Sequence, residues 1–172
     1  MNSIATTSST RTTALAEQVI ANLGLLLVGI YMGGVVCFVL APSVTHLDAH
    51  AYISFWQAEN HDYGRVMPIL LLTCLATVVA SAAMGARHGR RVWIFELGAA
   101  TLIGAAILVT VTRMEPLNHQ ANSWDPDNPP ADWETIRSHW LAWHDLRTAF
   151  AVAAFTSLLI ARTALDTPRR IR

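Results

Sequence analysis

The sequence contains little charge for its length. Only 14% of its 172 residues are Asp, Glu, Lys or Arg, and all twelve basic residues are arginine. A soluble domain has about a quarter charged residues. The formal net charge is zero with neutral histidine, so no broad basic surface favours nucleic acid as a partner. The shortage of charge is the first indication of a membrane protein.

Cysteine is equally scarce. Cys37 and Cys74 are the two cysteines, and each lies within an apolar run. This number and spacing exclude a disulfide framework and a zinc-finger pattern. Both residues are therefore interpreted as small buried hydrophobic side chains.

Long apolar runs dominate what is present. Four runs, 19–41, 66–86, 92–112 and 148–165, have about the length needed to cross a bilayer. The first is too long for a signal-peptide core, which predicts an anchor rather than a cleaved segment. The sequence predicts an all-α protein, a four-transmembrane-helix bundle that occupies residues 17–166. Residues 1–16, rich in Ser and Thr, are predicted to form a disordered tail, and 167–172 a basic C-terminal tail.

The arginines predict the orientation in the membrane. The turn at 87–91 and the C-terminal region from Arg162 onward hold seven of the twelve arginines. The positive-inside rule places these, and both termini, in the cytoplasm. The 1–2 and 3–4 loops, 43–65 and 113–147, then lie on the other side and are predicted to form an extramembrane cap. Six of the seven histidines and five of the six tryptophans lie in these two loops.

The second loop ends in a predicted helix. Asp132 is its expected N-cap, because Pro129 and Pro130 prevent an earlier start. No proline or glycine separates this helix from the fourth apolar run, so one continuous helix is expected. Four of its residues share a face by their spacing, namely Ile136, Trp140, Trp143 and Arg147.

These segments carry a family resemblance. The string EPLN at 115–118, then Trp124, then W-x-x-W-H-x-x-R at 140–147 resembles the anthrone oxygenase family. Members are small four-helix membrane proteins, most of unknown function. The resemblance implies oxidation of a hydrophobic aromatic, such as a polyketide anthrone, to a quinone by O2. It implies no cofactor apart from O2.

The resemblance also implies three catalytic residues. His144 is the expected general base, since imidazole has a pKa near neutrality. Arg147 is expected to hold a developing oxyanion, and Asn118 the substrate carbonyl. The structural alternatives are packing for His144, extension to the membrane interface for Arg147, and a helix cap or turn for Asn118.

Three tryptophans are candidates for substrate binding. These are Trp124, Trp140 and Trp143, whose indole rings are expected to line the site and stack on a planar aromatic substrate. The alternative is an aromatic belt at the membrane surface.

A metal site is a further alternative. His46 and His50 are four residues apart, and His61, His119 and His139 lie in the same two loops. Imidazole with nearby carboxylates suits copper or iron, although no compact metal motif is present. The alternative functions are thus a metal-dependent membrane oxidoreductase and a non-catalytic membrane binding or partner protein. A homo-oligomer is left open.

One carboxylate lies inside an apolar run. Glu96 is costly in lipid and is therefore a candidate functional group. Arg90 and Arg91 lie within reach along the helix, so an ion pair with them is the expected role.

Overall fold

The computed structural model describes residues 3–87 and 89–166, and all regular structure in them is helical. The long helices are α1 (Ser3–Val39), α2 (Ala49–Gly85), α3 (Arg90–Val109) and α5 (Trp133–Asp166), and α4 (Glu115–Asn122) is short. A 3₁₀ turn spans Pro42–His46, and a π-helical turn at Thr110–Met114 joins α3 to α4. The predicted C-terminal tail, 167–172, lies outside the described residues. The sequence predicts a disordered tail at 1–16, but from Ser3 onward these residues are helical and form the beginning of α1.

The four long helices form a ring. Helix α1 packs against α2 and α5, and α3 packs against the same two helices. This is the neighbour relation of a four-helix bundle. All four helices are long and apolar enough to cross a membrane. The predicted all-α, four-helix membrane fold is confirmed.

Small side chains allow the helices to approach closely. Ala99, Ala151 and Ala154 are fully buried where α3 and α5 meet the rest of the bundle core. Large apolar side chains face outward instead, among them Leu26 and Ile69, which are 60% and 69% exposed. A bundle with small residues inside and large apolar residues outside is suited to lipid.

Helices α2 and α5 are longer than a membrane requires, as is α1 with its 37 residues. Helix α2 has 37 residues and α5 has 34. At 1.5 Å per residue they measure roughly 55 and 50 Å, against a hydrocarbon core of about 30 Å. Their polar beginnings, 49–65 and 133–147, therefore extend beyond the bundle. The sequence predicts a loop at 43–65, but most of it is the first part of α2, which Asp48 caps by accepting from the Ala51 amide at 2.9 Å.

The extensions of α2 and α5 meet α4 in a separate buried cluster. Its members are aromatic or apolar: Tyr52, Trp56, Met114, Ala121, Ile136 and Trp140. The Gln57 amide nitrogen donates to the carbonyls of Ala121 and Trp124, at 2.9 Å each, which ties α2 to the end of α4. The predicted cap is thus formed by both interhelical segments, as a second small core above the bundle.

Candidate functional site

A cavity of about 410 Å³ lies between the cap and the bundle. Its volume is within the usual range for small-molecule sites. Apolar side chains such as Val35, Met67, Leu71 and Ile107 line the side toward the bundle. The polar lining residues are Glu59, Asn60, Tyr63, Thr110, Glu115, Asn118, His119, Asn122, His144 and Arg147. The structure therefore brings Asn118, His144 and Arg147 to one cavity.

Two helix irregularities border this cavity. Pro68 lies inside α2 and has no N–H for the carbonyl of Gly64, and both residues line the cavity. On the opposite wall, Thr110, Val111 and Met114 of the π-helical turn line it too. Single π-helical turns are frequent at functional sites because they re-aim side chains.

Both ring nitrogens of His144 have a hydrogen-bond partner. Nε2 lies 3.1 Å from the carbonyl oxygen of Val35, and Nδ1 lies 2.8 Å from Nη2 of Arg147. A carbonyl can only accept and a guanidinium can only donate, so Nε2 carries the hydrogen and Nδ1 is the acceptor. The ring is only 2% exposed and stacks on Trp140 with centroids 5.0 Å apart. His144 is thus a neutral imidazole in a fixed tautomer.

Arg147 lies one turn beyond His144 on α5. Among the described residues no carboxylate oxygen lies within 4.0 Å of its guanidinium. Its Nε is buried and has no hydrogen-bond partner in the described structure. A cation held without a counter-ion is costly unless a ligand completes the site. Arg147 therefore presents an incompletely paired positive charge to the cavity.

Asn118 connects two tryptophans. Its Oδ1 accepts from Nε1 of Trp140 at 2.8 Å and from Nε1 of Trp56 at 3.2 Å. Its Nδ2 donates to Oε2 of Glu115 at 3.2 Å. Two indole donors fix which end of the amide is oxygen. The side chain positions the aromatic wall and keeps a second Nδ2 hydrogen for another acceptor.

The three predicted substrate-binding tryptophans have different positions. Trp140 lines the cavity. Trp124 packs edge-on against Trp56, with centroids 5.9 Å apart, and Trp143 lies beneath the Arg113 guanidinium at 5.3 Å. Neither Trp124 nor Trp143 is a lining residue of this cavity.

The five histidines considered as metal ligands are spread over the cap. His119 lines the cavity, and His50 lies 3.4 Å from Asp127 near the surface. His46, His61 and His139 are exposed. Within residues 3–87 and 89–166, no three His, Cys, Asp or Glu side chains form a group that could hold a metal ion.

Glu59 is a site residue that the sequence reasoning missed. It lines the cavity from the part of α2 that extends beyond the bundle, and burial raises its pKa to about 7, while the Arg147 cation acts in the opposite direction. The available signal was its position three residues after Trp56, on the apolar face of that segment.

One comparison with known proteins gives a match. The model of the anthrone oxygenase family matches residues 57–157, which is more than half of the 172-residue chain. The matched range contains Glu59, Glu115, Asn118, His144 and Arg147. No curated protein and no solved structure matches the chain significantly. By the family match, the chain belongs to the anthrone oxygenase family.

Proposed function

We propose that this protein is a membrane oxygenase that converts a hydrophobic, planar aromatic with an acidic C–H bond, such as an anthrone, to a quinone with O2. The observation that carries the proposal is the position of Arg147, a cation without a carboxylate within 4.0 Å in the described structure. It lies on the polar wall of a cavity that apolar side chains line on the side toward the bundle. An anthrone that loses a proton becomes an anion with its charge on a ring oxygen. Arg147 is suited to stabilise that oxygen in a site that excludes water.

The reaction needs only the substrate and oxygen. A base removes one proton from the methylene carbon opposite the carbonyl, and the resulting anion gives one electron to O2. Recombination of the radical with superoxide forms a carbon–oxygen bond and, after protonation, a hydroperoxide. Loss of water from this hydroperoxide forms the second carbonyl. One anthrone and one O2 thus yield one anthraquinone and one water.

Two groups are candidates for the base. His144 is the one expected from the sequence, and its Nδ1 becomes available when the Arg147 guanidinium turns from the imidazole to the substrate oxygen. Glu59 is the second candidate, because its pKa of about 7 allows both a substantial ionised fraction and strong basicity at neutral pH. In this proposal His144 and Arg147 also act as a pair, with the imidazole positioning the guanidinium.

The substrate is proposed to enter from the bilayer. Leu72 and Val111 line the cavity, yet 61% and 60% of their surfaces are exposed on the outside of the bundle. These residues belong to α2 and to the π-helical turn, so the lipid-facing surface and the cavity are separated there by single side chains. A lipophilic aromatic is the ligand class that such a wall favours.

The experiment follows quinone formation from anthrone and O2 in membranes that contain the protein, after subtraction of the spontaneous rate in protein-free membranes. We expect Arg147→Gln to lower the rate about 100-fold or more, the usual loss when an oxyanion-stabilising group is removed. His144→Ala is expected to lower it by a similar factor. Arg91→Gln, the same change on an exposed arginine at the other end of the bundle, should leave the rate unchanged.

The pH profile separates the two bases. Glu59 accepts a proton only when ionised, so the wild-type rate should rise with pH through about 7 and level off above it. Glu59→Gln should remove that rise, and Glu134→Gln on the exposed surface of the cap should keep it. A wild-type rate that is level through pH 7 and rises only near pH 4, where burial and the Arg147 cation place the pKa of His144, would identify His144 as the base. Wild-type protein that binds anthrone without exceeding the spontaneous rate would instead identify a non-catalytic binding protein.

A further inference from the structure

A second cavity, of about 340 Å³, lies at the opposite end of the bundle. It is enclosed by α1, α2, α3 and α5 near the turn that joins α2 to α3. Its polar lining residues are Glu17, Gln18, Asn22, Ser81, Glu96 and Arg162. None of them belongs to the site described above.

Glu96 is the most deeply buried charged residue of this second cavity, with only 3% of its surface exposed. The Ser81 hydroxyl donates to its Oε1 at 2.6 Å. Its Oε2 is buried and has no hydrogen-bond partner in the described part of the chain. The predicted ion pair with Arg90 or Arg91 is not formed, because both arginines are exposed and the carboxylate turns inward to Ser81.

The packing of α2 against α3 leaves room for the Glu96 carboxylate. Gly85 packs against Glu96, and a Cβ at position 85 would overlap Oε2. An acceptor that is kept buried with a free lone pair is costly, so a hydrogen-bond donor or a cation is needed to complete it. The missing side chain at Gly85 thus leaves room for the Glu96 carboxylate, which lines the second cavity and has an oxygen that the described residues leave without a donor.

The other lining residues of the second cavity indicate which chemical group would pair with the Glu96 carboxylate. Glu17 adds a second carboxylate, whose Oε1 lies 3.9 Å from Arg87 at the rim. Gln18 and Asn22 add amide oxygens, and Arg162 supplies a cation from α5. Glu96 lies six residues after Arg90, which is about 9 Å along α3 from the polar turn, and four residues into the predicted span 92–112, just below the headgroup region.

We propose that the second cavity binds a primary ammonium group, with Glu96 as its principal acceptor. An ammonium group has three N–H donors, which matches the carboxylate and amide oxygens of the cavity. A phospholipid with an ethanolamine headgroup is one source, since its phosphate would pair with Arg162. A small free amine is the other. The proposal does not depend on the oxygenase reaction.

The test compares two headgroups that differ only in methylation. The full-length protein is purified from vesicles that hold equal amounts of ethanolamine and choline phospholipid, and the retained lipid is counted by native mass spectrometry. We expect about a tenfold preference for ethanolamine in the wild type, because a quaternary ammonium has no N–H to donate to the carboxylate. Glu96→Gln, which keeps the Ser81 contact, should abolish the preference. Glu134→Gln is the matched control and should retain it.

A second arm identifies the source of the ammonium group. Free ethanolamine is titrated into delipidated protein, and its binding is measured in wild type, Glu96→Gln and Arg162→Gln. A lower amount of retained lipid with unchanged ethanolamine binding in Arg162→Gln supports the phospholipid, because Arg162 would bind only the phosphate. Ethanolamine binding that needs Glu96, without any lipid preference, supports a small amine. Equal retention of both lipids together with no Glu96-dependent binding of ethanolamine would overturn the proposal.

Discussion

Asn118 shows how one side chain can organise the aromatic wall of a site. Its single oxygen accepts from Trp56 and Trp140, which are only 2% and 4% exposed. Each indole has one N–H, and in the described part of the chain both N–H groups donate to this oxygen. The orientation of Trp140, which lines the cavity and stacks on His144, therefore depends on this amide.

Replacing Asn118 by leucine should thus destabilise the protein. The change keeps the approximate size of the side chain but leaves two buried indole donors unpaired, at about 1–3 kcal/mol each. We expect the free energy of unfolding to fall by about 2–4 kcal/mol, measured by denaturant titration in mild detergent with tryptophan fluorescence.

Asn122→Leu is the control for this change. Asn122 is exposed and accepts only from Asn60, at 3.2 Å, so its loss should cost less than about 0.5 kcal/mol. Equal effects of the two substitutions would show that the indole hydrogen bonds contribute little.

The sequence could not predict which hydrogen-bond partners the atoms of the site residues have. The spacing of Trp140, Trp143, His144 and Arg147 predicted neighbours on one helix, and the contact between His144 and Arg147 agrees with that. The other partner of His144, the carbonyl of Val35, is 109 residues away in sequence. Such a contact depends on the packing of α1 against α5, which periodicity does not encode.

At the scale of the helix, deviations from regular geometry mark both cavities. The first cavity lies between Pro68 in α2 and the π-helical turn after α3. The second depends on Gly85 at the end of α2, where the helix has no side chain. A helix that began with the predicted span 66–86 would have Pro68 in its first turn, where proline is tolerated. Since α2 starts at Ala49, Pro68 instead lies in the helix interior.

Gly85→Ala is predicted to destabilise the bundle. The new methyl group would overlap the Glu96 carboxylate, whose Cδ would lie 3.2 Å from it, and Glu96 has little room to move because it is buried and bonded to Ser81. We expect a loss of about 1–3 kcal/mol, the usual cost of an overpacked core, seen as a lower midpoint in thermal unfolding.

Gly104→Ala is the matched substitution. Nothing lies within 4 Å of a Cβ at Gly104, so the helix should gain about 0.5–1 kcal/mol from the better helix former. A Gly85→Ala protein as stable as Gly104→Ala would show that Glu96 moves freely and is not held by Ser81.

At the scale of the whole molecule, hydrophobicity was enough to predict the bundle. Each predicted span coincides with a long helix of the structure along nearly its whole length, because about twenty apolar residues in lipid must satisfy their backbone hydrogen bonds internally. The cap was harder to predict. Its segments 49–65 and 113–122 are polar, so hydropathy gave no sign that α2 begins at Ala49 or that a π-helical turn carries α3 into α4. Their helical form is supported by tertiary contacts such as that of Gln57 with α4.

The last prediction concerns the orientation of the two cavities across the membrane. The arginine-rich turn at 87–91 is expected in the cytoplasm, and the cap on the other side. The two native cysteines are first replaced, by Cys37→Ser and Cys74→Ala. A single cysteine is then introduced either in the cap, as Asn128→Cys, or beside the turn, as Ala86→Cys. Both positions are exposed, and neither change removes an arginine. A membrane-impermeant maleimide should label Asn128→Cys in intact cells and Ala86→Cys only after permeabilisation. The reverse labelling pattern would place Arg147 and the proposed oxygenase cavity toward the cytoplasm, and Glu96 toward the outside. In that case the distribution of arginine would not determine the topology of this protein.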